Sequence, residues 1–304
     1  MKKIPARLAA CLSAFFVALS IALGGCAQPA APANQGSAAE TTPATEATPA
    51  PESFPASPDG VTVAQIQERG YLLVGATGDY CPLSMRNEDG TYWGFDAELA
   101  QDLADDLGVE LVFVETSWPT LLDDTQAGIF DVALCGVSRT EQRLEAALMS
   151  ESYLPNGKTV LMRAEDVDRY TSLDAINQPG VRVMENPGGT NERLAREWLP
   201  NATITIHDVN EEIPELIAAG EADVMITEMC EAAYYVGQDP RLAAPLIDEP
   251  FSRGEIGALM NAGSEDLLAY VNDFLAREEE SGRLAELRAE YVQSIEGEEL
   301  PLAA

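Results

Sequence analysis

Val181-Arg182-Val183-Met184-Glu185-Asn186-Pro187-Gly188-Gly189-Thr190-Asn191 is the stretch that decides how the chain folds. Val181 to Glu185 predicts a strand, and Asn191 to Trp198 predicts a helix. Between them, Gly188 and Gly189 let a ligand approach the backbone closely. A plain Pro-Gly turn accounts for Pro187 and Gly188. It leaves Thr190 and the flanking Asn186 and Asn191 unexplained, and these read as a site for an anion and polar groups. A second strand follows at Thr203 to Ile206, so the unit is strand, crossover helix, strand.

The same alternation extends in both directions. Helices at Leu173 to Ile176 and Ile213 to Ala219 flank the unit, and Asp223 to Ile226 is a further strand. An earlier series has the same architecture without the same sequence. It runs as strand Tyr71 to Ala76, helix Gly94 to Leu107, strand Val109 to Val114, helix Trp118 to Ala127 and strand Asp131 to Cys135. In its first helix Phe95, Leu99, Leu103 and Leu107 recur four apart on one face. The closing segments, Gly254 to Met260 and helices Asp266 to Ala276 and Arg283 to Tyr291, are long enough to return to the first series. The predicted fold is an α/β clamp of two lobes, each a mostly parallel sheet flanked by helices. Residues 61–154 and 250–295 form lobe 1, and 155–249 form lobe 2, with crossings near 154–158 and 246–252. Strand ends and helix starts then meet at a shared cleft that closes on a hinge. One larger sheet is the alternative.

Lys2, Lys3 and Arg7 precede the apolar run Leu8 to Leu23, which leads into Leu23-Gly24-Gly25-Cys26. That is a signal peptide with small residues before a cysteine, too short for a transmembrane helix, and it predicts Cys26 as the lipidated first residue of the mature protein. Residues 26–60 are mainly Ala, Pro, Thr, Ser, Glu and Gln and predict a disordered tether, while 296–304 form a C-terminal tail. The predicted location is extracytoplasmic, with a lipid anchor in the membrane.

The formal charge of −33 becomes about −36 without the three basic residues of the signal peptide, and so acidic a chain is not a nucleic-acid binder. Against that background any cation in a cleft is informative. Cys81, Cys135 and Cys230 have neither metal spacing nor a disulfide framework. His207, the one histidine, ends a strand, where a structural role outweighs catalysis. Zinc and a Ser-His-Asp triad are both disfavoured.

Two more strand-to-helix junctions carry chemistry. Gly136-Val137-Ser138-Arg139-Thr140-Glu141-Gln142-Arg143 offers backbone N–H groups, hydroxyls and a guanidinium, which suits a carboxylate; a helix start capped by Thr140 with Arg143 in solvent is equally compatible. Thr227-Glu228-Met229-Cys230-Glu231 opens another helix with two carboxylates three apart on one face. They either complement the helix dipole, which favours the ionised form, or, desolvated over an anionic substrate, hold a proton. The sequence leaves that contest open.

From about Ile66 to Val292 the chain resembles the amino-acid-binding proteins of ABC transporters, and within them the cyclohexadienyl dehydratases. The motifs are Thr77-Gly78-Asp79-Tyr80, Gly94-Phe95-Asp96, Thr116-Ser117-Trp118-Pro119, Phe130-Asp131, Asn156-Gly157-Lys158, Gln178-Pro179-Gly180-Val181 and Asn186 through Asn191. The resemblance implies that Glu231 is a general acid, and that Ser138, Arg143 and Thr190 clamp a carboxylate. It implies that Trp118, Lys158, Asn186, Gly189, Asn191 and Glu228 face the ligand. The implied reaction removes carbon dioxide and the ring hydroxyl from prephenate or L-arogenate, with no metal or organic cofactor. The other class the resemblance allows is a non-catalytic receptor handing an amino acid or related carboxylate to an ABC transporter permease. The chain departs from the family pattern at Cys81-Pro82-Leu83, at Thr227-Glu228, at Arg139 and in Ser252-Arg253-Gly254-Glu255-Ile256-Gly257.

Overall fold

The computed structural model describes residues 54–292; the signal peptide, Cys26, the tether up to residue 53 and the C-terminal tail lie outside the described residues. In chain order the first part comprises α1 (Val63–Arg69), β1 (Tyr71–Ala76), β2 (Asp79–Tyr80), β3 (Ser84–Arg86), β4 (Tyr92–Trp93), α2 (Phe95–Leu107), β5 (Glu110–Glu115), α3 (Leu121–Ala127), β6 (Val132–Ala133), α4 (Glu141–Ala146) and β7 (Leu148–Met149). The second comprises β8 (Leu154–Arg163), α5 (Leu173–Ile176), β9 (Arg182–Glu185), α6 (Thr190–Trp198), β10 (Thr203–Ile206), α7 (Ile213–Ala218), β11 (Val224–Glu228), α8 (Met229–Gln238), β12 (Leu242–Ala243) and β13 (Ser252–Ile256). The chain then returns through β14 (Leu259–Met260), α9 (Glu265–Ser281) and α10 (Arg283–Tyr291).

The first sheet runs β5-β1-β6-β14-β7 and the second β10-β9-β11-β8-β12, with β13 also on β8. The expectation of mostly parallel sheets needs refinement. In each sheet three strands, β5-β1-β6 and β10-β9-β11, are parallel, and the strands beyond them alternate: β14 is antiparallel to β6 and β7, and β8 to β11, β12 and β13. Parallel neighbours need a crossover helix between them. β8 and β14 instead enter their sheets directly from the other lobe, so no crossover sets their direction.

Packing follows the four-residue spacing of α2: Phe95, Leu99 and Leu103 are buried with Leu72 and Val74 of β1, and Phe274, Leu284 and Leu287 of α9 and α10 join the same cluster. Gly108 stops α2 in the left-handed region, its N–H capping the last turn. The other face of β1 packs Leu73 against Leu121 and Phe130. The second lobe centres on Val160, Val183, Val224 and Ile226 with Tyr170 and Leu199. Cys81, Cys135 and Cys230 are all buried free thiols.

The lobes are joined by two strands that pair with each other. β13 runs antiparallel to the first half of β8, from Ser252 opposite Lys158 to Ile256 opposite Leu154, and a bridge from Ser138 to Ile256 extends the contact into the first lobe.

Two elements differ from their predicted extents in ways that move site residues. The helix expected from Trp118 begins only at Leu121, because Pro119 disfavours helical geometry at the residue before it. Hydroxyls of Ser117 and Thr120, 2.9 Å apart, shape the turn that Trp118 occupies. Further along, β11 continues past Ile226 because its pairing with β8 does, placing Thr227 opposite Thr159 and Glu228 opposite Lys158. Glu228 is therefore the extended residue before α8, while Glu231 lies within its first turn.

Candidate functional site

The loops after β6, β9 and β11 converge between the lobes and bring together Ser138, Asn186, Gly189, Thr190, Asn191, Glu228 and Glu231, joined by Trp118, Tyr80 and Asn210. Two glycines permit this closeness. Gly136 has φ +74° and a Cβ there would lie 2.2 Å from the Tyr80 ring; Gly188 has φ +77° and a Cβ there would meet Pro119 of the opposite lobe at 2.6 Å. The cleft is closed to a cavity of about 20 Å³, room for one water-sized guest, so a ring-sized ligand enters when the lobes part.

Closure is held by polar contacts across the lobes. Ser138 Oγ donates to Glu228 Oε1 at 3.3 Å, Asn210 Nδ2 donates to the Asp79 carbonyl at 3.0 Å, and Tyr80 Oη lies 3.6 Å from Cys230 Sγ. Trp118 Nε1 donates to Asp79 Oδ1 at 3.0 Å, which fixes the indole at the cleft.

At the centre is Lys158, on β8 and only 5 % exposed. Its ammonium donates to Thr190 Oγ1 at 2.7 Å and also bonds Asn191 Oδ1 and Glu228 Oε1. The register of β11 on β8 makes the ion pair with Glu228, because directly opposed residues share a face. A buried pair of this kind survives only with such supporting hydrogen bonds.

Glu231 is fully buried. Asn210 Nδ2 donates to its Oε1 at 2.9 Å and the Thr227 hydroxyl donates to its Oε2. Burial pushes its pKa up to about 8; the Thr227 hydrogen bond opposes this, while the negative charge of Glu228 adds to it. Burial thus outweighs both the local donors and the helix start, and the carboxyl carries its proton at neutral pH. Two carboxylates three residues apart are driven to different states: one paired with Lys158, the other protonated.

Arg143, at the end of α4's first turn, is 9 % exposed rather than in solvent. Its Nη1 donates to the Ser138 carbonyl at 2.8 Å, and no carboxylate lies within 4 Å of it among the described residues. Thr140 caps α4, accepting from the Arg143 N–H at 3.3 Å, so the cap and the buried guanidinium coexist. Arg143 faces a groove of about 620 Å³ that adjoins the cleft at Trp118, Gly189 and Thr190. The hydroxyl of Thr190, on the second lobe, is engaged by Lys158, while Arg143 and Ser138 bond each other on the first, so the three do not bond as a trio.

Asn210 and Glu185 were not singled out by sequence. Asn210 sits in the acidic run Val209 to Glu212 and gives no periodic signal. Glu185 ends β9 with no exposure, accepts from the Ile226 N–H at 2.7 Å, and burial holds its pKa well above the ordinary carboxylate value. His207 lies 2.7 Å from Glu212 at a strand end, apart from the cleft. Among the described residues no group of His, Cys, Asp and Glu could hold a metal ion, and no helix is long and apolar enough to cross a membrane.

Comparison with known proteins bears on the family and the fold. The chain is 40 % identical over 229 residues to a cyclohexadienyl dehydratase of Pseudomonas aeruginosa, covering 75 % of this chain and 85 % of that one. It is 29 % identical to the L-cystine-binding protein TcyJ of Escherichia coli over 75 % of this chain and 84 % of that one. The crystal structure of the ancestral amino acid-binding protein AncCDT-1, a precursor of cyclohexadienyl dehydratase, superposes with a TM-score of 0.70 at 32 % identity, over 76 % of this chain and 99 % of that one. Residues 72–294 match the model of the bacterial extracellular solute-binding proteins, family 3, and the chain belongs to that family.

Proposed function

We propose that the protein is an extracytoplasmic decarboxylating dehydratase that converts prephenate, L-arogenate or both to phenylpyruvate or L-phenylalanine. The observation that carries the reading is Glu231: a fully buried carboxyl at the cleft, with a pKa of about 8, next to a carboxylate already neutralised by lysine. A receptor needs no protonated carboxyl there. A dehydratase needs a proton donor at neutral pH.

In the proposed reaction Arg143, with Ser138 and Thr190, holds one substrate carboxylate, and Lys158, Asn186 and Asn191 orient the polar groups. Trp118 and Gly189 wall the ring. Glu231 gives its proton to the ring hydroxyl as the C–O bond breaks and water leaves. The electron pair of the breaking C–carboxylate bond enters the ring, carbon dioxide departs, and aromatisation drives the step. Proton transfer is the protein's chemical contribution, and the remaining residues act by position. Glu231 recovers its proton from solvent when the lobes open.

Similarity to amino acid-binding proteins favours a second reading, a lipid-anchored receptor serving an ABC permease, in which Glu228 receives a ligand ammonium. In the closed cleft that carboxylate is occupied by Lys158. Under either reading we propose that Cys26 is lipidated and that the lobe boundaries lie at residues 154–155 and 249–250. Incubation with prephenate and with L-arogenate, following phenylpyruvate absorbance and phenylalanine by chromatography, tests the enzyme. Tight amino-acid binding with neither product would transfer the assignment to the receptor.

A further inference from the structure

Two departures from the family pattern, Arg139 and the segment Ser252 to Gly257, have no role in the reaction above. They meet in space. Arg139 and Ser252 through Ile256 line a second cavity of about 220 Å³ beside the paired strands that join the lobes. Ser138, Thr190 and Glu228 line both this cavity and the cleft, so only the Lys158–Glu228 pair and its neighbours separate them.

The charge of this cavity is opposite to that of the protein. Of the 18 Lys and Arg residues in a chain of net charge −33, four line it: Arg139, Lys158, Arg193 and Arg253. Its two carboxylates are already used, Glu228 by Lys158 and Glu255 by Arg139 at 3.4 Å. Arg193 pairs with the exposed Glu197 at 3.2 Å, and Arg253 has no ion-pair partner within 4 Å among the described residues. The cavity therefore holds a surplus of cation. Leu194, Trp198 and Ile256 supply an apolar side, with Trp198 steadied edge-on by Phe251 at 6.2 Å between centroids. The volume lies below the roughly 300–1,000 Å³ of sites for drug-sized ligands, so the guest is small.

We propose that this cavity is a second binding site for a small aromatic carboxylate, its ring against Trp198 and its carboxylate between Arg139 and Arg253. The guest touches the first lobe through Arg139, the second through Arg193 and Trp198, and the joining strand through Arg253. It binds the closed form better than the open one and shifts the equilibrium toward closure. The site does not depend on the dehydratase reading, because the side chains that hold the guest, Arg139, Arg193, Trp198 and Arg253, have no part in the proposed reaction.

Calorimetry with phenylpyruvate as the probe tests the proposal. Arg143→Ala removes the cleft's own carboxylate anchor, and this variant should still bind one equivalent. Adding Arg253→Ala should weaken that binding at least tenfold, and acetate should not bind. The unsubstituted protein should bind one equivalent more than its Arg253→Ala variant, whether or not the cleft itself takes phenylpyruvate, which provides the test should Arg143→Ala not fold. Ligand-dependent quenching of tryptophan fluorescence should shrink in Trp198→Phe. No binding by a folded Arg143→Ala, affinity unaffected by Arg253→Ala, or acetate binding as tightly as phenylpyruvate would overturn it. Each outcome is read from binding alone, so absence of turnover leaves it undisturbed.

Discussion

Replacing Glu231 with Gln removes one transferable proton and little else. At pH 7 a carboxyl with a pKa of about 8 is about nine-tenths protonated, so the exchange is neutral for neutral. The amide oxygen accepts from Asn210 as Oε1 does, and the amide nitrogen can meet the Thr227 hydroxyl oxygen. Ligand affinity should change by no more than a few-fold. A positioned general acid contributes about a hundredfold or more, on the order of 3 kcal/mol at the transition state, so kcat with prephenate should fall by that factor while KM holds. The pH profile supplies the control. The protonated form is the active one, so kcat/KM is level below about pH 8 and falls tenfold per unit above it, and the Gln variant lacks that limb. Stability carries the same signature: between the unfolded value of 4.5 and about 8 only the folded state keeps the proton, so stability falls with rising pH by on the order of 4 to 5 kcal/mol. Glu231→Gln should flatten that slope in urea melts. Loss of affinity as large as the loss of rate, an unchanged pH limb, or no loss of turnover would refute the assignment.

Arg143→Ala should weaken cleft ligand binding by roughly thirtyfold or more, the equivalent of 2 kcal/mol or above for a buried charge-assisted site; unchanged calorimetric affinity in a folded protein would remove Arg143 from the clamp. Gly188→Ala places a Cβ 2.6 Å from Pro119 at a left-handed φ, so it should hold the lobes apart and cost about tenfold or more in affinity. Small-angle scattering at saturating ligand should then report the open dimensions; a normal compaction would show that the contact yields. Cys26→Ser should move the protein from the membrane to the soluble fraction, and unchanged fractionation would exclude lipid anchoring.

The two-lobed α/β fold was legible because Val181 to Trp198 switches from strand to helix period across a glycine loop, a change local sequence records directly. Strand direction was not. Nothing in the residues of β8 or β14 marks their direction, and only the route of the chain between lobes makes them antiparallel. The junction loops were legible as polar sites, whereas the protonation state of Glu231 was not, since burial outweighs the helix start only through the packing of elements distant in sequence. Asn210 and Asp79 meet across 131 residues of sequence, with no periodic pattern to announce it. Lys158 opposite Glu228 required the register of two strands. Arg139 and Arg253 were visible only as departures; their common cavity needed coordinates.

The pairing of β8 with β13 has a mechanical consequence. Two separate linkers would let the lobes twist and slide independently, but here the connections form a single hydrogen-bonded ribbon from Lys158–Ser252 to Leu154–Ile256. Such a ribbon bends far more easily than it shears, so the lobes should move along essentially one coordinate. Entry of substrate and exit of product then use the same excursion in opposite senses. Any contact that deepens closure, whether Ser138 on Glu228 or Asn210 on Asp79, lengthens the stay of product as well as substrate. Tight grip and rapid release then draw on one motion, so contacts that strengthen closure should slow release.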